Sequence, residues 1–185
     1  LPRDDFLAFV QRLQTRWQAQ ATGLAVTARE GWDALYGQPA VNDLLAAPLD
    51  PADLRARFVA DALQRADELA GGFGYQAKFP HAPQLRGLIA SLRHDEDPQV
   101  EEFLRLTLDA MLDGGLRDQV GEGFFRYTVD PQWQIPHFEK MLYDNAQLAR
   151  LYLEAAAVLQ EPRYRQAGIA TLHFVLDVMA SRRDG

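Results

Sequence analysis

Two pairs of dipeptides divide this chain into helices and leave little room for another fold. Asp50-Pro51 and Asp97-Pro98 each set a side-chain acceptor ahead of a residue whose fixed φ suits the first helical position. Gly71-Gly72 and Gly114-Gly115 each stop what those prolines start. Between them, apolar residues recur at helical spacing. Leu54, Phe58, Ala62, Leu63, Ala66 and Leu69 mark a helix to about Ala70, and Val100, Phe103, Leu104, Leu106, Leu108 and Met111 mark one to about Asp113.

The same periodicity predicts helices over Asp4 to about Gln20, Pro83 to about Arg93, Pro136 to about Leu159 and Pro162 to about Ser181. Thr22 to Tyr36 reads as weaker helix or irregular chain. Strands are scarce: 123–128 and 133–135 are expected to make a small β-hairpin inside the connection 114–136. Short connections (HDEDP, QEP) alternate with long ones, the signature of stacked helical hairpins with long loops gathered at one end. The expected fold class is all-α.

With 185 residues, 48% of them hydrophobic, the chain suits one globular domain or one plus a piece. Its net charge of −7 and pI near 5.0 argue against nucleic acid as a partner, which would require a basic stripe. No apolar run approaches a membrane span, and the acidic residues within LPRDDFLAFV exclude a signal peptide there. The absence of cysteine removes disulfides, thiolate nucleophiles and Cys-ligated metals, and is compatible with a cytoplasmic location. Of 19 basic residues only Lys78 and Lys140 are lysines, and both lie in Gly/Pro/aromatic motifs, GGFGYQAKFP and PHFEKMLYDN.

The chemistry is concentrated between Gly114 and Leu148. Helix-to-helix connections usually take a few polar residues, so a long aromatic one punctuated by glycine reads as a shaped surface. If a helix starts at Pro136, His137, Lys140, Met141, Asp144 and Leu148 share a stripe that continues into Leu151, Tyr152, Ala155 and Leu159. Such a stripe, polar and then apolar, would suit the mouth of a cavity. His137, Glu139 and Asp144 are the candidate catalytic residues. Asp118, Gln119, Arg126, Tyr127, Trp133, Lys140, Asn145 and Lys78 are the candidate ligand-binding residues. The bland reading stands beside this one: Lys140 and Asp144 as a surface pair, Asp144 or Asn145 as a loop anchor, and the loop aromatics pinning the loop to the domain. His81, His94 and His173 rank lower. The HFE sequence is not the HExxH zinc arrangement, no GxSxG elbow is present, and GGFG and GEGFF lack the strand–GxGxxG–helix setting of a dinucleotide site. No metal or cofactor is expected.

GGFGYQAKFPHAPQL and DGGLRDQVGEGFFRYTVDPQWQIPHFEKMLYDNAQLARLYLEA resemble the spermatogenesis-associated protein 20 / YyaL-type family. The resemblance covers roughly residues 50 to 181. It implies an N-terminal thioredoxin-like domain joined to an (α/α)6 toroid of the six-hairpin glycosidase type. On that basis residues 1–20 correspond to the last helix of the thioredoxin-like domain, 21–50 to a linker, and 51–185 to about two of six hairpins. The family's Cys-rich motif has no counterpart here, and Phe125 stands where the family motif GGGFHRY has histidine.

Function follows from the resemblance only as a set of alternatives. Family members are mostly of unassigned activity. A hydrolase would need two carboxyl groups about 5–9 Å apart, with Asp118, Asp130, Glu139 and Asp144 as candidates. A sugar 2-epimerase would need acid/base groups on both faces of a carbon, with His137 as one of them. The non-enzyme alternative is a binding or regulatory scaffold whose activity resides in the thioredoxin-like domain. A carbohydrate-like small molecule is the expected partner, and exposed inner helices of a part-toroid are expected to favour a homo-oligomer.

Overall fold

The computed structural model describes residues 2–36 and 50–180, and the chain divides into two units at Asp50. The first unit contains α1 (Arg3–Tyr36), kinked at Gln20, whose φ of −136° and ψ of 20° leave the helical region. The kink falls where the apolar pattern weakens. Helical turns nevertheless continue to Tyr36, through part of the segment expected as a linker. The rest of that segment, 37–49, lies outside the described residues, as does the chain end at 181–185.

The second unit is built from α2 (Pro51–Gln64), α3 (Ala82–Ser91), α4 (Pro98–Asp113), α5 (Leu142–Leu159) and α6 (Pro162–Phe174), followed by a π-helical turn at Val175–Met179. The cap-plus-proline reading holds at Asp97, whose carboxylate accepts the Gln99 and Val100 N–H groups at 3.0 and 3.2 Å. Glu161 does the same for α6, accepting the Arg163 N–H at 3.1 Å ahead of the proline-initiated turn. Caps of this kind contribute about 1 kcal/mol each.

The core is a single cluster in which Leu85, Leu88 and Ile89 of α3 meet Leu104, Leu108 and Met111 of α4 and Leu148, Leu151, Tyr152 and Ala155 of α5. Helix α5 packs on both α3 and α6. Gly168 makes the α5–α6 approach: a Cβ there would lie 2.8 Å from Leu153 Cγ and 3.0 Å from the Ala149 carbonyl oxygen. Between α3 and α5, Arg86 donates to both oxygens of Glu154 at 2.8 and 3.0 Å. The Arg86 bonds, with Arg150 assisting, hold the Glu154 carboxyl down to about 2 against the cost of burial.

Three sequence expectations require correction. Helix α2 ends at Gln64 rather than near Ala70, because the chain turns back on itself and the Asp67 N–H bonds the Gly72 carbonyl at 2.9 Å. Helix α5 starts at Leu142, not Pro136. Residues 136–139 are non-helical instead, with the His137 N–H donating to Tyr127 O at 2.9 Å, the Arg126 N–H to Glu139 O at 2.8 Å and the Glu139 N–H turning back to His137 O at 2.7 Å. The stripe of His137, Lys140 and Asp144 is therefore not a helix face. The expected β-hairpin takes the form of isolated bridges, Arg117 to Phe124 and Thr128 to Pro136, with no longer strand among the described residues.

The long loops do collect at one end. Lys78 and Thr128 exchange both backbone bonds, at 2.9 and 3.0 Å, tying the connection after α2 to the connection after α4. Trp133 is fully buried beneath them and donates Nε1–H to Ala70 O at 2.9 Å.

Candidate functional site

The two long loops share one internal construction. In the first, Asp67 Oδ1 accepts the N–H groups of Leu69 and Ala70, and Oδ2 takes Lys78 Nζ at 2.8 Å. Lys78 Nζ also donates to Gly71 O at 2.8 Å. In the second, Asp118 Oδ1 accepts from Val120 and Gly121, and Oδ2 takes Lys140 Nζ at 2.7 Å, while Lys140 also donates to Glu122 O. Each aspartate's own N–H closes the turn on a carbonyl five residues on, Gly72 in one and Gly123 in the other. The chain's two lysines thus hold equivalent positions in two copies of one loop.

This construction places several of the expected ligand-binding residues inside the fold. Lys78 is fully buried. Burial pushes the Asp67 carboxyl up, but the Lys78 bond and the two amides outweigh it and leave it below its usual range. The amides of Gly121 and Val120, with Lys140 Nζ, hold Asp118 at about 2. Asn145 is fully buried, accepting from Phe124 N–H at 2.7 Å and donating to Phe124 O and Met141 O at 3.0 Å. Gln119 donates to Leu112 O at 2.9 Å, at the end of α4. Asp130 accepts the N–H groups of Gln132, Gln134 and Ile135. Trp133 is core. Phe125, at the family's histidine position, meets Phe138 edge-on at 5.3 Å and lies under Lys140 Nζ at 5.1 Å.

The remaining candidates gather around a cleft of about 320 Å³, whose walls include Phe79, His81, Arg126, Tyr143, Asp144 and Gln147. Asp144 stands in the first turn of α5. Its Oδ2 is shielded from solvent and has no hydrogen-bond partner among the described residues. Burial raises the Asp144 pKa, Arg126 opposes that rise, and Glu139 adds to it. Arg126 reaches Glu139 at 3.4 Å, and His137 Nδ1 lies 3.7 Å from the same carboxylate oxygen. Tyr127 sits between Phe79 at 4.6 Å and His137 at 4.7 Å, the rings within 16° of parallel. His137, Glu139 and Tyr127 lie behind the cleft wall: Glu139 contacts the wall residue Arg126, and Tyr127 joins His137 to the wall residue Phe79.

The cleft wall also holds His81, which ranks low from sequence, Tyr143, which the helical spacing places four residues after Glu139 without marking it as a site residue, and Gln147, which no sequence pattern marks. His81 has φ 47° and ψ 44° at the N-terminus of α3, a left-handed conformation uncommon for a residue with a side chain. Desolvation lowers its pKa although the residue stays exposed. The prolines on either side, Pro80 and Pro83, were the available signal that this turn is fixed.

Solved structures define the class of fold. The chain is similar to cellobiose 2-epimerase from Spirochaeta thermophila, with a TM-score of 0.60 and 19% identity over 72% of this chain and 38% of that one. It is also similar to a sugar epimerase from a ruminal bacterium, with a TM-score of 0.59 and 10% identity over 65% of this chain and 34% of that one. The helical hairpins form part of an (α/α)6 toroid. At the level of sequence, mouse and human spermatogenesis-associated protein 20 are each 32% identical over the whole of this chain. Uncharacterized protein B0495.5 of Caenorhabditis elegans is 44% identical over 90 residues, 46% of this chain. The chain belongs to the spermatogenesis-associated protein 20 family and spans 24% of the length of the mouse and human members. No protein-family model matches it. Among the described residues no helix is long and apolar enough to cross a membrane.

Proposed function

We propose that the cleft beside α3 and α5 binds a hydroxylated, carbohydrate-like ligand, with Asp144 as its central polar contact. The observation that carries this reading is the shielded, unpartnered Asp144 Oδ2 in the cleft wall. A buried carboxylate oxygen without a donor is a cost to the fold, and a ligand hydroxyl bound to this carboxyl from the cleft offsets that cost. Arg126, Gln147 and Tyr143 add donors and acceptors, and the Phe79 ring adds an apolar wall. Concave sites of this composition, mostly apolar with a few convergent polar groups, are the usual setting for small-molecule recognition.

Charge favours a neutral ligand. Arg126 already faces Glu139 and Asp144, so an added anion would meet two carboxylates against one guanidinium. The two toroids of similar shape are sugar epimerases by name, which supports a sugar as the ligand. Asp144, whose pKa is raised by burial, is the group best placed for proton transfer, and His137 and Glu139 orient Arg126 and Tyr127 behind it.

The test is calorimetric titration of the protein with a panel of neutral monosaccharides, alongside Asp144→Ala, Asp144→Asn and His137→Ala. Wild-type protein is expected to bind at least one sugar, and Asp144→Ala to weaken it roughly tenfold or more. No binding of any sugar at about 10 mM would sink the reading. Undiminished binding by both Asp144 variants would remove Asp144 from it.

A further inference from the structure

A second cleft, of about 460 Å³, adjoins the first, and His81 and Gln84 belong to the walls of both. Its lining includes three aromatic rings, Phe58, Phe73 and Tyr75, with Asp61 and Arg65 at its rim.

Each ring is held in place by a different contact. Phe58 lies over Gly87, where a Cβ would come within 2.6 Å of Phe58 Cζ. Phe73 packs on Phe103 at 5.4 Å and meets the His81 ring edge-on at 5.6 Å. Tyr75 remains 72% exposed although its hydroxyl donates to Ala66 O at 3.3 Å. An aromatic side chain tethered at its tip with its ring open to solvent has little rotamer freedom left to lose when something stacks on it. The Asp61–Arg65 pair, at 2.6 Å, supplies both an acceptor and donors at the same opening.

His81 stands at the junction. Its left-handed backbone is unfavourable for a histidine and persists only where its surroundings enforce it. The ring is set between Phe73 on one side and Phe79, at 6.3 Å, on the other, so it belongs to the aromatic wall of both clefts.

We propose that the second cleft is a subsite for a further ring of the same ligand, so that the site takes an oligosaccharide of at least two residues, with His81 and Gln84 at the junction between them. This rests on the carbohydrate reading of the first cleft and adds chain length to it. The ring over Tyr75 is held chiefly by stacking, and the linkage between rings passes His81.

The experiment is calorimetric titration of the protein with monosaccharides and with their di- and trisaccharides, glucose against cellobiose and maltose being one such set, on wild type, Tyr75→Ala and His81→Asn. Asparagine tolerates the left-handed backbone at position 81. Disaccharides are expected to bind wild type roughly tenfold more tightly than the matching monosaccharide, and Tyr75→Ala to remove most of that ratio. His81→Asn is expected to lower the same ratio. If a monosaccharide binds and none of its oligomers binds more tightly, the second subsite is overturned while the first cleft's reading stands. Equal losses for both lengths in Tyr75→Ala overturn it as well. If no saccharide of any length binds, the first reading falls and this one with it.

Discussion

Lys140 Nζ sits 2.7 Å from Asp118 Oδ2 and repeats, one hairpin later, the 2.8 Å bond that Lys78 makes to Asp67. The two pairs differ in burial. Lys78 and Asp67 side chains are 0% and 6% exposed, against 16% and 25% for Lys140 and Asp118. Removing one partner of a buried pair strands the other charge, which costs about 3–5 kcal/mol. Lys78→Ala should therefore destabilise the protein by that amount, and Lys140→Ala by about half as much, since solvent reaches the second pair. Chemical denaturation of both variants checks the order, and a larger loss for Lys140→Ala would show that burial does not set the difference.

Acid should loosen the second loop through Asp118. Its pKa falls from 3.8 to about 2 on folding, so the native state favours the ionised form. The stabilisation is fully present above pH 3.8 and disappears as pH falls toward 2. A shift of that size corresponds to roughly 2 kcal/mol. Asp118→Asn should be destabilised by about this much at pH 7, and the two proteins should converge near pH 2. A gap that stays constant with pH would assign the loss to packing instead.

Glycine positions in the first loop separate backbone strain from crowding. Gly72 and Gly74 have φ of 73° and 75°, but a Cβ at Gly72 would lie 2.5 Å from Trp133 Cζ2, whereas nothing lies within 4 Å at Gly74. Gly74→Ala is expected to cost about 1 kcal/mol for the left-handed backbone alone. Gly72→Ala should cost roughly 1–3 kcal/mol more, because the buried indole must shift. Thermal melts of the two variants measure the difference directly.

The helices were legible because their signals are local: Asp97-Pro98 and Gly114-Gly115 act within one turn of chain. The site was legible only in part. His137, Lys140 and Asp144 look like a helix face because the spacing of 137, 140 and 144 suits a period of 3.6. That pattern cannot reveal that Pro136 pairs with Thr128 and that the chain stays non-helical through Met141. Nor does sequence distinguish a polar residue lining a pocket from one spent on buried backbone. Lys78 and Asn145 have partners 11 and 21 residues away, and Trp133 has one 63 residues away. The rarity of lysine in an Arg-rich chain did single out Lys78 and Lys140, although the reason proved to be loop architecture. His81 ranks low from sequence because its place in the walls of two clefts is a relation that only the folded chain shows.

Asp144 should show the opposite pH behaviour from Asp118. Burial raises its pKa above 3.8, so folding favours the neutral acid and penalises the carboxylate. Stability from this group is present below pH 3.8 and is lost as pH rises through the raised value. Asparagine cannot ionise, so Asp144→Asn should match wild type near pH 3 and exceed it at pH 7. Partial exposure limits the gain to about 1 kcal/mol or less. The same variant should weaken sugar binding, because the amide replaces one of the two acceptor oxygens by a donor. A stability gain combined with a binding loss is the trade expected of a residue kept for a ligand rather than for the fold. Thermal melts across pH 3–7 and sugar titrations on the same preparation measure both halves. Destabilisation at neutral pH would instead make Asp144 a structural anchor of α5 and withdraw it from the cleft's chemistry.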